Sequence, residues 1–153
     1  MTSDESQAAT ERTARKAAGY KDLLVWRKGI ELARKVYDLT QKFPTDERFG
    51  LVSQMRRAAV SIPSNIAEGQ ARNTTGEFVL FISHAEGSLA ELDTQVVLCV
   101  ELGRCAAEQV TDVVALMDEL KRMLNSLRRK LSARAAAACR VPARHSSLVT
   151  RHC

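Results

Sequence analysis

Residues 51–69 read LVSQMRRAAVSIPSNIAEG. Leu51, Met55, Ala58/Ala59, Ile62 and Ile66 follow at steps of three and four, the spacing that lines one face of an α-helix. Inside that run sits Pro63, which has no N–H to donate and whose ring meets the carbonyl of Ala59. An unkinked helix would lose about 3 kcal/mol at such a residue. The segment therefore predicts a bent helix in which Ser61, Ser64 or Asn65 bonds the backbone groups set free. Gly69 is expected to stop it. A striped, bent helix needs partners to pack on, and the flanking sequence predicts three.

Upstream, Leu23, Trp26, Ile30, Ala33 and Tyr37 form a three-four series that predicts a first helix with this set as its core face. It should end near Phe43-Pro44, because a residue before proline is pushed out of the helical region. Thr45 or Asp46 is then placed to cap the second helix. Downstream, Thr74 with Glu77 three residues later predicts a capped start for a third helix. Its core stripe is Phe78, Ile82, Ala85, Leu89, Leu92, Val96 and Cys99, with an end near Gly103. The fourth carries Val110, Val113, Met117, Leu120, Leu124, Leu127 and Leu131, an unbroken seam. Short loops between long amphipathic helices predict an all-α, antiparallel up-down-up-down four-helix bundle over residues 20–131. Residues 1–19 are polar and small, and are expected to be frayed or disordered. The alanines after Ser132 should prolong the fourth helix by a turn or two before Pro142 ends it. The rest of 132–153 reads as a basic, disordered Ala/Arg-rich tail.

The net charge of +5 is unevenly spread. Residues 1–19 carry three basic and three acidic side chains, residues 20–127 carry 13 and 15, and residues 128–153 carry seven basic and no acidic ones. The basic excess thus belongs to the end of the chain and not to the body of the bundle. No apolar run approaches the roughly 18 residues of a membrane span, and the first residues lack the apolar core of a secretory signal. The expectation is a cytoplasmic protein without a membrane partner. Cys99, Cys105, Cys139 and Cys153 form no C-x-x-C pair and no Cys/His cluster, so reduced thiols are expected rather than a metal site.

Two helices are apolar on more than one side. On the third, Ser83, Gly87, Ala90 and Thr94 share a face roughly opposite the core stripe, flanked by Leu80 and Leu98. A solvated back face would carry Lys, Glu and Gln, and Gly87 there costs about 1 kcal/mol relative to Ala. On the second helix, Val60 and Ala67 lie away from the core face. Helices apolar on two sides need two neighbours. This set of eight residues therefore predicts a subunit interface, with a second contact inside one bundle as the alternative.

DLLVWRKGIELARKVYDLT, LVSQMRRAAVSIPSNIAEG and GEFVLFISHAEGSLAELDTQ resemble the four-helix-bundle family of 23S rRNA-intervening-sequence proteins. That family includes the accessory variability determinants of diversity-generating retroelements. The resemblance runs from about Tyr20 to Leu131, and SIPSNIAEG and GSLAEL carry most of it. It implies a homopentamer without enzymatic activity. For the retroelement branch it also implies contact with nucleic acid and a reverse transcriptase. It does not choose between the branches, and the tail lies outside it.

Catalytic chemistry finds little support in the residues. A di-iron bundle needs Glu-x-x-His on two helices, and no Glu here precedes a His by three. His84-Ala85-Glu86 matches half of a deaminase motif whose Pro-Cys-x-x-Cys partner is missing. No phosphate-cradling loop is present, and no cofactor or metal is expected. A small hydrolase would need Glu68 and Glu91 together in a cleft.

Nucleic acid is the stronger expectation. Lys21, Lys28, Lys35 and Lys42 recur every seven residues opposite the Trp26–Ile30–Ala33–Tyr37 face, with Arg27 and Arg34 beside them. Repeated around an oligomer, that row would make a belt for phosphates. Arg56, Arg57 and Arg72 are further candidates, as are Arg128, Arg129 and Lys130 at the start of the basic tail, which continues with Arg134, Arg140, Arg144 and Arg151. The competing reading is a salt-laced solvent face, with Glu31 pairing with Lys35 or Arg27 and Asp38 with Arg34 or Lys42. The expected role is thus a non-catalytic accessory that assembles with itself and contacts nucleic acid or a nucleic-acid enzyme. A purely structural protein–protein adaptor is the alternative.

Overall fold

The computed structural model describes residues 19–47 and 50–140. Among them are four α-helices: α1 (Leu24–Thr40), α2 (Leu51–Gln70), α3 (Thr75–Glu101) and α4 (Ala107–Cys139), with short 3₁₀ turns at Tyr20–Asp22 and Thr45–Glu47. Each helix packs on the next, α4 closes back onto α1, and neither diagonal pair is in close backbone contact. The connections are short, so neighbours run antiparallel and the four make a square up-down-up-down bundle.

One continuous core fills it. Leu32 and Val36 of α1, Met55, Ile62 and Ile66 of α2, Ile82 and Leu92 of α3, and Leu120 and Leu124 of α4 are fully enclosed. The stripes expected for α2, α3 and α4 are those that turn inward, with Leu51, Phe78 and Leu127 at the margin. Helix α1 departs from expectation. Its buried residues are Val25, Gly29, Leu32, Val36, Leu39 and Thr40, while Ile30 and Tyr37 of the predicted core face are 45% and 40% exposed. Trp26 and Ala33 are half-buried. Both stripes have helical spacing and lie about 100° apart, so α1 is two-sided and periodicity alone selected the outer stripe.

The helix ends also differ from expectation in two places. Thr45 and Asp46 belong to the 3₁₀ turn, and Gly50 precedes α2 without a side-chain cap. Gly69 does not stop α2, which runs to Gln70. A Cβ on Gly69 would stand 2.7 Å from Phe81 Cβ and 2.8 Å from Phe78 Cδ2, so this glycine permits the close approach of α3. The other termini follow the sequence. The Thr74 hydroxyl accepts from the Glu77 N–H at 3.2 Å and donates to its carboxylate at 2.8 Å. Gly103, at φ +64°, ends α3. There the Gly103 N–H bonds the Val100 carbonyl and the Arg104 N–H the Cys99 carbonyl, the paired pattern of a glycine-closed helix.

Near Pro63 the polar side chains do bond backbone carbonyls, but not that of Ala59, the one left without the N–H of residue 63. The Ser64 hydroxyl donates to the Val60 carbonyl at 2.8 Å, and the Asn65 amide donates to the Ser61 carbonyl at 2.9 Å. Pro63 is buried against α1, where a Cβ on Gly29 would lie 3.2 Å from its own Cβ. Pro63 thus lies at the α1–α2 crossing, inside a helix that is continuous from Leu51 to Gln70. Helix α4 continues to Cys139, so residues 132–139 of the expected tail are helical. The expectations for residues 1–18 and 141–153 lie outside the described residues.

Candidate assembly and nucleic-acid surfaces

The outer stripe of α1 gives the first surface. Trp26, Ile30 and Ala33 line a shallow apolar groove of about 270 Å³ with Val60, Pro63 and Ala67 of α2. It continues through Val60 into a groove of about 620 Å³ formed by Tyr37, Val52, Ser53, Arg56, Arg57 and Ser61. The α2 residues predicted for an interface therefore share a surface with the residues predicted for the core of α1. Arg56 is held in place there: its guanidinium lies 4.5 Å from the centre of the Tyr37 ring, and its Nε donates to Thr40 Oγ1 at 2.9 Å. The Thr40 hydroxyl in turn donates to the Val36 carbonyl at 2.8 Å. No sequence signal pointed to Thr40, whose partners come from a turn away and from another helix.

The second surface is the back of α3. Ser83, Gly87, Ala90 and Thr94 are all exposed, and a Cβ on Gly87 would meet nothing. Leu80, Val97 and Leu98 beside them are 53%, 55% and 44% exposed. On the α4 side, Ala90 and Thr94 border a groove of about 490 Å³ that also includes Glu86, Asp93, Met117, Asp118, Lys121 and Arg128. Arg128 crosses it to Glu86, with Nε donating to Oε2 at 2.9 Å.

The cations of α1 are less free than their spacing suggested. Lys28 lies 3.4 Å from Glu119 of α4 and 3.5 Å from Glu31, and Lys35 lies 3.7 Å from Asp112 of α4. The carboxylate of Glu119, followed by that of Glu31, raises the Lys28 pKa above its ordinary 10.5. Arg27 pairs with Asp22 at 3.7 Å and donates to the Lys21 carbonyl. Glu31 thus pairs three residues back, not with Lys35 or Arg27, and the seven-residue row partly tethers α1 to α4. Arg72 is bound by Glu68 at 2.8 Å and rests over the Phe81 ring. Among the described residues, Arg34, Lys42, Arg57, Arg129 and Lys130 have no ion-pair partner.

Charge is sorted by helix, a pattern visible in the sequence once the boundaries are known. Helix α3 has five carboxylates and no Lys or Arg. Along α4, residues 107–119 hold four carboxylates and no Lys or Arg, whereas residues 120–140 hold seven Lys or Arg and no carboxylate. Lys121, Arg122, Arg129, Lys130, Arg134 and Arg140 of that stretch are exposed.

Glu68 and Glu91 are both exposed and separately engaged, Glu68 by Arg72 and Glu91 by the Gln95 amide at 3.1 Å. Gln95 is itself buried, and no donor among the described residues reaches its Oε1. Among the described residues no group of three His, Cys, Asp or Glu is placed to hold a metal ion. No helix among them is long and apolar enough to cross a membrane. Cys99 is enclosed between Met55, whose sulfur is 3.3 Å away, and Cys105. Burial, reinforced by Cys105, pushes its thiol up to about 12.

Bundle, core and two outer apolar surfaces define a small antiparallel four-helix-bundle protein. The chain belongs to the 23S rRNA-intervening sequence protein family, whose model matches residues 21–126. The match spans α1 to α3 and most of α4, and stops short of Arg128, Arg129 and Lys130. No curated protein matches the chain at a significant level.

Proposed function

We propose that the protein is a non-catalytic, self-assembling accessory that contacts nucleic-acid phosphates through the basic second half of α4. The observation that carries this reading is the run of exposed cations from Lys121 to Arg140, uninterrupted by any carboxylate. Such a run offers several lysines and arginines to a phosphate backbone with little internal competition. The α1 row contributes less, because Lys28 and Lys35 are engaged by α4 acids. Self-assembly is supported by the apolar outer stripes of α1, α2 and α3, and a pentamer by the family resemblance.

The test is titration of structured RNA and duplex DNA with the full chain at two salt concentrations. Affinity should fall steeply with salt, and Arg129→Glu combined with Lys130→Glu should weaken binding and flatten the salt slope by about two. No binding at low salt overturns the nucleic-acid reading. The ion-pairing of Lys28 and Lys35 favours a second reading, a protein–protein adaptor. In that case capture of a partner from the native host survives nuclease treatment.

A further inference from the structure

We propose that Met55, Cys99 and Cys105 form a three-sulfur site for a soft monovalent metal ion of the copper(I) class. It lies inside the subunit, at the end of the bundle where the α3–α4 turn packs on the α1–α2 connection.

The way α3 ends brings the sulfurs together. Cys99 is in its last turn and is fully enclosed. Gly103, at φ +64°, then reverses the chain, and the Arg104 N–H bonds the Cys99 carbonyl at 2.8 Å. Cys105 is thereby laid back against the helix end, where its thiol meets that of Cys99. From α2, Met55 is also fully enclosed and sets its sulfur 3.3 Å from Cys99 Sγ. Arg104 Nε lies 2.8 Å from Glu47 Oε1, an ion pair that ties the turn carrying Cys105 to the α1–α2 connection. The spacing of the two cysteines gives no hint of the third sulfur, which comes from another helix 44 residues before Cys99.

Ligand softness selects the ion. Two thiols and a thioether suit copper(I), whereas magnesium and calcium take oxygen. Zinc takes four ligands in its closed sites. Among the described residues no further Cys, His, Asp or Glu is placed to join Cys99 and Cys105 around a metal. A metal–sulfur bond of about 2.3 Å in a three-coordinate plane sets the sulfurs about 4.0 Å apart, so Met55 and Cys99 need to part by about 0.7 Å. The unbranched Met55 side chain has the rotatable bonds to give that much. Binding releases the two thiol protons to solvent and moves no electron. Cys105, at 8% exposure, is the one ligand that reaches the surface and so marks the side of entry.

The test uses the full chain with Cys139→Ser and Cys153→Ser, which removes the two other thiols, reduced and kept free of oxygen. Titrated with copper(I) against a colorimetric copper(I) chelator, this parent chain should hold one ion. X-ray absorption at the copper edge should show sulfur alone around the metal. Cys105→Ser and Cys105→Ala should each abolish binding with helicity unchanged. Met55→Leu keeps the volume of the core, so it should fold and weaken copper(I) by at least about tenfold. Zinc(II) in equal amount should leave the bound copper in place. If the parent chain yields all its copper to the chelator, or if both Cys105 variants hold the ion as tightly, the site is wrong. Unchanged affinity in Met55→Leu overturns the three-sulfur set, and displacement by zinc overturns the choice of ion.

Discussion

Gly69 of α2 and Phe81 of α3 meet so closely that a Cβ on the glycine would stand 2.7 Å from the phenylalanine Cβ. The atom in the way is the first of the Phe81 side chain, next to the backbone, so it cannot swing aside without moving the helix. Gly87 is the opposite case: a Cβ there meets nothing within the subunit. The two glycines therefore answer differently to the same substitution. Gly69→Ala should destabilise by about 2 kcal/mol through overpacking. Gly87→Ala should stabilise the isolated bundle by up to about 1 kcal/mol through helix propensity. Urea denaturation of both variants checks the pair of signs.

Gly87→Leu extends the contrast from stability to assembly. The added side chain has open space within the subunit but fills the small-residue face between Ser83 and Ala90. If that face is covered by another copy, the oligomer should dissociate while helicity is kept. Unchanged size in light scattering would remove Gly87 from the interface.

The contrast also shows what could be read from residue order. The core stripes of α2, α3 and α4 were legible because in each one apolar series clearly outweighs any other. Helix α1 has two, Trp26–Ile30–Ala33–Tyr37 and Val25–Leu32–Val36–Leu39, and amphipathic spacing has no preference between them. What decides is close approach: Gly29 sits against Pro63, and that fixes which side of α1 faces α2. Val60 and Ala67 were recognisable as apolar residues off the core face, but the α1 stripe they adjoin was assigned to the interior. The seven-residue spacing of lysines was legible too. Their partners were not, since Glu119 and Asp112 lie more than 75 residues away on α4.

Asn65 ties together the turn before Pro63. Its amide donates to the Ser61 carbonyl at 2.9 Å and to the Ser61 hydroxyl at 3.0 Å, and that hydroxyl is 2.9 Å from Ser88 of α3. Asn65→Ala removes both bonds. A loss of about 1–2 kcal/mol is expected, read as a lower urea midpoint with an unchanged slope. No change would mean that solvent serves the Ser61 carbonyl equally well.

Among the described residues the cysteines divide by burial, and their chemistry should follow. Cys99 and Cys105 are buried while Cys139 is exposed. Only the thiolate reacts, so iodoacetamide at neutral pH should label Cys139 promptly, and Cys99 and Cys105 only as the bundle unfolds. Peptide mass mapping over time separates them. The same burial sets a pH dependence. Cys99 is raised from 9.0 to about 12 in the folded chain, so the unfolded chain gives up this proton more readily than the native one. The stabilisation linked to the neutral thiol is complete below pH 9, declines as the unfolded thiol ionises, and is gone once pH has risen through the folded value near 12. Melting temperature should therefore fall between pH 8 and pH 10.5. Cys99→Ala should be less stable at pH 8, from the cavity left beside Met55, yet lose less on going to pH 10.5. An equal alkaline loss in both proteins would assign the dependence to other groups.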